Sequence, residues 1–169
     1  FREALAGTEV IMSIDGSKQK VRLPKGVKDG QKIRLRKKGR PGVNGGAPGD
    51  LVITIHVGTH PVFTRDHDNL RIVLPVTFAE ATLGAKIEVP LLDGSSVTVK
   101  VPAGTQSGAV LRVRGRGVET SKTKGDLLIE VRVAVPKELN DTQKAALEGF
   151  IATLEDSDPR AELLAKAKA

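Results

Sequence analysis

Short runs of alternating apolar and polar residues fill most of the chain. Val21 and Leu23 flank Arg22, and Ile33 and Leu35 interleave with Arg34 and Arg36, so each run has one apolar and one wet face, as a half-buried strand does. The runs Val10 to Ile14, Lys20 to Leu23, Ile33 to Arg36 and Leu51 to Val57 are rich in β-branched residues and bounded by Gly, Pro and Asp. That pattern predicts strands joined by tight turns. The dipeptides Asp15-Gly16 and Asp93-Gly94 are the sharpest hairpin signals, because a type I′ turn needs positive φ, which glycine adopts at little cost.

The pattern occurs twice. A first copy runs Phe1-Arg2-Glu3-Ala4, Gly7, Asp15-Gly16, Val21-Arg22-Leu23-Pro24-Lys25-Gly26, Gly30, Ile33-Arg34-Leu35-Arg36 and Gly39. A second runs Phe78-Ala79-Glu80-Ala81, Gly84, Asp93-Gly94, Val99-Lys100-Val101-Pro102-Ala103-Gly104, Gly108, Leu111-Arg112-Val113-Arg114 and Gly117. Each closes with Gly-Asp-Leu and an alternating strand, from Gly49 and from Gly125. Two copies imply two similar modules in tandem; a solenoid needs at least three. The second copy is preceded by the strand pattern Asn69 to Val76, whereas the first begins at Phe1, so a further strand is expected upstream.

After Pro136 the period changes from two to that of a helix. Asn140 with Gln143 three residues on forms a capping pattern, and Leu147, Phe150, Ile151 and Leu154 follow as one apolar stripe. A weaker helical piece, Pro159 to Lys168, carries Leu163 and Leu164. The expected fold is mainly β: two tandem, similar sandwich- or barrel-like modules with short helices, then a C-terminal helix. The expected boundaries are 1–66, 67–136 and 137–169.

Composition narrows the class. An apolar fraction of 39% suffices for packed cores. There is no long apolar run and no signal-peptide pattern, so no membrane partner is expected and the cytoplasm is the default location. Cysteine is absent, which excludes disulfides and thiolate metal sites. The net charge of +7 is concentrated early: residues 1–66 hold 13 Lys/Arg against 6 Asp/Glu, and residues 137–169 hold 5 against 7.

Leu23-Pro24-Lys25-Gly26-Val27-Lys28-Asp29-Gly30, Gly49-Asp50-Leu51, the segment His60-Pro61-Val62-Phe63-Thr64-Arg65-Asp66-His67-Asp68-Asn69-Leu70, Leu91-Leu92-Asp93-Gly94 and Leu111 to Gly117 resemble the two C-terminal domains of DnaJ-family co-chaperones. The likeness runs in the family's order from residue 1 to about 155. It implies two stacked β modules and a dimerisation helix, the dimer forming a clamp for unfolded clients. His60-Pro61-Val62 is not the His-Pro-Asp of a J-domain, since valine supplies no carboxylate. Only residues 13–20 lie where a Cys-rich zinc region would stand, so the chain looks like the zinc-free subclass, with no metal and no cofactor.

The resemblance places a client groove at Val10, Met12, Ile14 and Phe63. There an extended client would add to an exposed strand edge and set alternate side chains in apolar pockets, and the unbranched Met12 would adapt to varied partners. Alternation by itself marks a core face as readily as a groove. The resemblance favours a groove for Met12 and Ile14, and less so for Val10. Phe63, in a polar loop, is open to either role. Between Lys18 and Arg40 stand eleven basic residues and one acid, Asp29. The resemblance implies that a DnaK-type partner docks its acidic C-terminal tail beside the groove, with Lys18, Lys20 and Arg22 as candidates; a solvated basic face is the plain alternative. A homodimer through Leu147, Phe150, Ile151 and Leu154 is expected.

The same basic cluster makes non-specific nucleic-acid binding the alternative function, strongly salt-dependent. No aromatic lies within Lys18 to Arg40 to stack bases, so such binding would be secondary. An enzyme is not expected: no nucleophile, base and oxyanion set can be assembled by spacing. The Gly-rich stretch Gly39 to Gly49 lacks the Gly-Lys-Ser/Thr ending of a phosphate loop.

Overall fold

A computed structural model describes residues 1–14, 16–155 and 158–168. Asp15, half of the first expected hairpin turn, lies outside the described residues. Its neighbour Gly16 has φ 79°, and Gly94 has φ 89°; Asp93 does not share the positive φ, and Leu91 N–H donates to Ser95 O, so the second turn is a three-residue loop and not the expected type I′ turn.

The chain divides into a unit of residues 1–134 and a unit of residues 135–169. The first opens with helix α1 (Arg2–Ala6) and hairpin β1 (Thr8–Ile14)–β2 (Ser17–Leu23), then hairpin β3 (Lys32–Leu35)–β4 (Leu51–Thr54). It continues with β5 (Thr64–Asp66), β6 (Asn69–Thr77), helix α2 (Phe78–Leu83), hairpin β7 (Ala85–Pro90)–β8 (Ser96–Val101), β9 (Val110–Val113) and β10 (Leu127–Ala134). Strands β5-β6-β10-β9 form a four-stranded sheet in that order, with β6 and β10 parallel. The other three sheets are two-stranded, and the described strands close no barrel.

The repeat is reproduced hydrogen bond by hydrogen bond. The turn after β2 caps the end of α1, Gly26 N–H donating to Leu5 O and Val27 N–H to Ala4 O; after β8, Gly104 N–H donates to Thr82 O and Thr105 N–H to Ala81 O. Gly30 N–H reaches Ile55 O, as Gly108 N–H reaches Val131 O. Gly39 N–H and Gly117 N–H bind Gly49 O and Gly125 O. No side chain fits at the latter pair: a Cβ would stand 2.7 Å from Asp50 O at Gly39 and 2.5 Å from Asp126 N at Gly117.

The Asp of each Gly-Asp-Leu locks its hairpin in the same way. Asp50 accepts from Arg34 Nε (2.6 Å) and Lys37 N–H (2.8 Å), and Asp126 accepts from Arg112 Nε (2.6 Å) and Gly115 N–H (2.8 Å). Both carboxyls are held below the ordinary value: Asp50 first by the Lys37 N–H and then by Arg34, Asp126 first by the Gly115 N–H, with Arg112 assisting.

One core spans both copies. Its floor is the inward face of β6 and β10, Leu70, Ile72, Leu74 and Val76 beside Leu127, Ile129 and Val131. Onto it pack Ala81 of α2, Val89, Leu91 and Val99 of the second hairpin, and Val118. From the first copy come Leu5 of α1 and Phe63, which is only 3% exposed. The division at 66/67 thus falls between copies that share buried residues. Phe63 meets the His60 ring edge-on at 5.2 Å, and His60 meets Phe1 at 5.6 Å. His60 Nδ1 accepts from Val62 N–H and Phe63 N–H, which holds the turn that aims Phe63 inward. Arg65 fastens the same segment to the first copy by donating to Gly26 O, Val27 O and His67 O.

In the second unit α3 (Asp141–Ala152) begins with the expected capping box: Asn140 Oδ1 accepts from Gln143 N–H and Gln143 Oε1 from Asn140 N–H. Leu147, Phe150 and Ile151 lie on α3, and Leu154 lies just past its end; all four are exposed. A shorter helix, α4 (Ala161–Ala167), carries exposed Leu163 and Leu164.

Two outcomes are expected. Phe63→Ala empties a buried aromatic site and should lower unfolding free energy by about 3–5 kcal/mol, read from urea melts; a midpoint equal to the parent's would show that the ring is not part of the core. Asp50→Asn and Asp126→Asn should lower the denaturant midpoint at neutral pH. A depressed carboxyl stabilises the fold above its unfolded value and ceases to as pH falls through the folded one. The deficit of either variant should therefore shrink as pH drops below 3.8, and a deficit independent of pH would contradict the assignment.

Candidate functional site

The β1–β2 hairpin has two distinct faces. Antiparallel register pairs Val10 with Val21, Met12 with Gln19 and Ile14 with Ser17, alternating with Glu9–Arg22, Ile11–Lys20 and Ser13–Lys18. Side chains alternate along a strand, so Val10, Met12 and Ile14 share one face. Lys18, Lys20 and Arg22 share the other. The structure therefore brings the three strand residues of the expected groove together, brings the three expected basic residues together, and sets the two groups on opposite faces of one ribbon.

Sequence periodicity passed over a residue on the second face. Ile11 is 63% exposed and lies directly across from Lys20, between the Glu9–Arg22 and Ser13–Lys18 pairs. Its signal was present in the sequence: it breaks the apolar–polar alternation of Val10-Ile11-Met12-Ser13-Ile14.

The internal repeat supplies a control for the first face. Val10, Met12 and Ile14 correspond to Ile87, Val89 and Leu91 of the second copy. In that copy the face is closed at Val89 (0% exposed) and Leu91 (6%), both in the core, with Ile87 half-buried against it. In the first copy Val10 is 37% exposed, and Met12 and Ile14 are only half-buried. The same ribbon is thus core in one copy and partly open in the other. The β1–β2 sheet has two strands, so among the described residues no third strand covers the outer edge of β1.

Phe63 does not join this face. It borders a separate cleft of about 580 Å³, lined by Phe1, Lys28, Asp29, Val57 to His60 and Thr64 to His67, and by none of Val10, Met12 or Ile14. Around that cleft Asp29 Oδ1 accepts from Val57 N–H at 2.8 Å, with His56 Nδ1 3.9 Å away. Asp66 is held below the ordinary carboxyl value by its bonds to His67 and then Arg71. Among the described residues no group of three or more His, Asp or Glu side chains is placed to hold a metal ion, and no helix is long and apolar enough to cross a membrane.

The family model "DnaJ C terminal domain" matches residues 1–136. Over 149 residues the chain is 53% identical to Chaperone protein DnaJ 1 of Streptomyces coelicolor and 51% identical to Chaperone protein DnaJ 1 of Streptomyces avermitilis, covering 88% of this chain and 37% and 38% of those proteins. It is 49% identical over 140 residues to Chaperone protein DnaJ 2 of Cutibacterium acnes, covering 82% of this chain and 37% of that protein. The chain thus spans well under half the length of these relatives. With the duplicated β unit, its paired Gly-Asp-Leu locks and a family match over both copies, the chain belongs to the DnaJ C-terminal domain family.

Proposed function

We propose that this chain is the client-holding part of a DnaJ-type co-chaperone, a non-enzymatic cytoplasmic protein that binds unfolded polypeptide and passes it to a DnaK-type chaperone. The observation that carries the reading is the contrast between the two hairpins: the face closed by Val89 and Leu91 in the second copy is partly open at Val10, Met12 and Ile14 in the first. An extended client segment would pair its backbone with the outer edge of β1 and lay alternate apolar side chains on that face. Backbone pairing is indifferent to client sequence, which suits a chaperone.

In this reading Lys18, Lys20 and Arg22 take the acidic C-terminal tail of the DnaK-type partner through charge-assisted bonds. Because they lie on the far side of the ribbon, tail and client would bind back to back, so one would not displace the other by direct overlap. Residues 1–66 would be the client-binding module and 67–136 a second module of the same design. Residues 137–169 would be the dimerisation arm, joined to a second copy through Leu147, Phe150, Ile151 and Leu154. Phe63 then acts through the fold of residues 1–134 and does not touch the client.

Replacing Met12 by Asp places a charge on the open face, where desolvating it opposes binding. Met12→Asp should weaken suppression of aggregation of a denatured client by about tenfold while the circular dichroism spectrum stays that of the parent. Full holdase activity in a folded Met12→Asp protein would sink the groove reading. For the dimer, a chain ending at Pro136 should sediment as a monomer where the parent sediments as a dimer; a truncated protein that still dimerises removes the arm from the proposal.

A further inference from the structure

The turn and loop that follow β3 lie outside the proposed client face, and their chemistry is one-sided. Residues 30–49 contain six basic residues and no acid. Arg34 is committed to Asp50, while Lys32, Arg36, Lys37, Lys38 and Arg40 are all exposed. Beyond them the loop closes on itself through Gly39 N–H to Gly49 O at 2.7 Å, Gly49 N–H to Arg40 O at 2.9 Å and Gly46 N–H to Val43 O at 3.2 Å. Its side chains are those of Pro41, Val43, Asn44, Ala47 and Pro48. Every residue from Val43 to Asp50 is exposed, and Val43, at 87%, has its side chain in solvent. The corresponding stretch of the second copy, residues 108–125, differs: it sets Glu119 among five basic residues, buries Val118, and is stitched down by Val118 N–H to Asp68 O.

We propose that the loop 39–49 and its cationic base form a docking site for an anionic lipid surface, with Val43 and the flanking prolines entering the interface and Arg36, Lys37, Lys38 and Arg40 facing the headgroups. A solvent-exposed apolar tip with exposed cations at its base matches a plane that is apolar inside and negative at its border. A nucleic acid would use the cations but give an exposed valine nothing to bury against. The lack of a spanning stretch bears only on crossing a bilayer, and surface docking needs none. The inference does not depend on the client reading.

The test uses vesicles of phosphatidylcholine alone and of phosphatidylcholine mixed with phosphatidylserine, with duplex DNA as a separate arm. The chain contains no Trp, so Val43→Trp provides a single fluorescent reporter at the loop tip. The expected result is co-sedimentation with the phosphatidylserine vesicles only, weakened by salt, with a blue shift of the introduced indole. Each cation near such a surface is worth about fivefold in affinity, so Lys37→Glu combined with Lys38→Glu should weaken binding by about 25-fold or more, while Lys122→Glu in the second copy leaves it unchanged. Equal binding to both vesicle types, binding to neither, or binding to DNA with no indole shift on vesicles would each overturn the proposal.

Discussion

The structure depends on one buried seam, the parallel pairing of β6 with β10. Its inward side chains, Leu70, Ile72, Leu74 and Val76 against Leu127, Ile129 and Val131, are all buried, and α2, the second hairpin, Leu5 and Phe63 pack over them. Parallel neighbours cannot be joined by a tight turn; the chain must leave the sheet and return. Here the return is residues 78–126, which carry α2, the β7–β8 hairpin and β9. Their apolar positions have one nearby place to go, so Ala81, Val89, Leu91, Val99 and Val118 end in the core. In the first copy β4 pairs with β3. The hairpin built from the same pattern, β1–β2, keeps its apolar face partly in water. Both hairpins alternate in the same way, so what differs between them is how much of each apolar face is covered.

That dependence explains what could be read from the sequence. Features set by neighbours in the chain were legible: the duplicated unit, the strand runs, the Asp93-Gly94 turn and the Asn140 cap with Gln143. So was the start of α3, although its stripe overran, because Leu154 stands beyond the Thr153 cap. Helices α1 and α2, of five and six residues, are too short to show a period. They are recognisable only afterwards, through the Thr77–Glu80 capping box and the glycine that follows each. The parallel seam was out of reach, because nothing local says which distant strand lies alongside.

The site was legible in part for the same reason. Alternation grouped Val10, Met12 and Ile14 correctly, but alternation says nothing about whether a face is covered. Phe63 shows the limit from the other direction. It sits in a polar stretch, His60 to Asn69, where an aromatic has no periodic neighbours to reveal its direction. That direction is set by His60 Nδ1 accepting from the Phe63 N–H and by Arg65 binding the carbonyls of Gly26 and Val27. Ile11 was missed because three neighbours at period two outweigh the one residue that breaks the period. The separation of the basic residues from Met12 could have been deduced: once a hairpin turns near Gly16, Lys20 must lie opposite Ile11 and share its face.

An open strand edge with an apolar face is a standing risk of self-association, since any other extended chain can pair with it. The β1–β2 ribbon answers this on its reverse side, where Glu9, Lys18, Lys20 and Arg22 charge the face around Ile11. Two copies of the ribbon stacking to bury Ile11 would have to bring Lys18, Lys20 and Arg22 of each together, and like charges at close range oppose that contact. In the proposed reading an unfolded client would meet the opposite face, so repulsion on this one need not keep clients away. A single duplicated hairpin is in this way buried at Val89 and Leu91 in one copy and partly exposed at Val10, Met12 and Ile14 in the other, with its charges gathered on the reverse face.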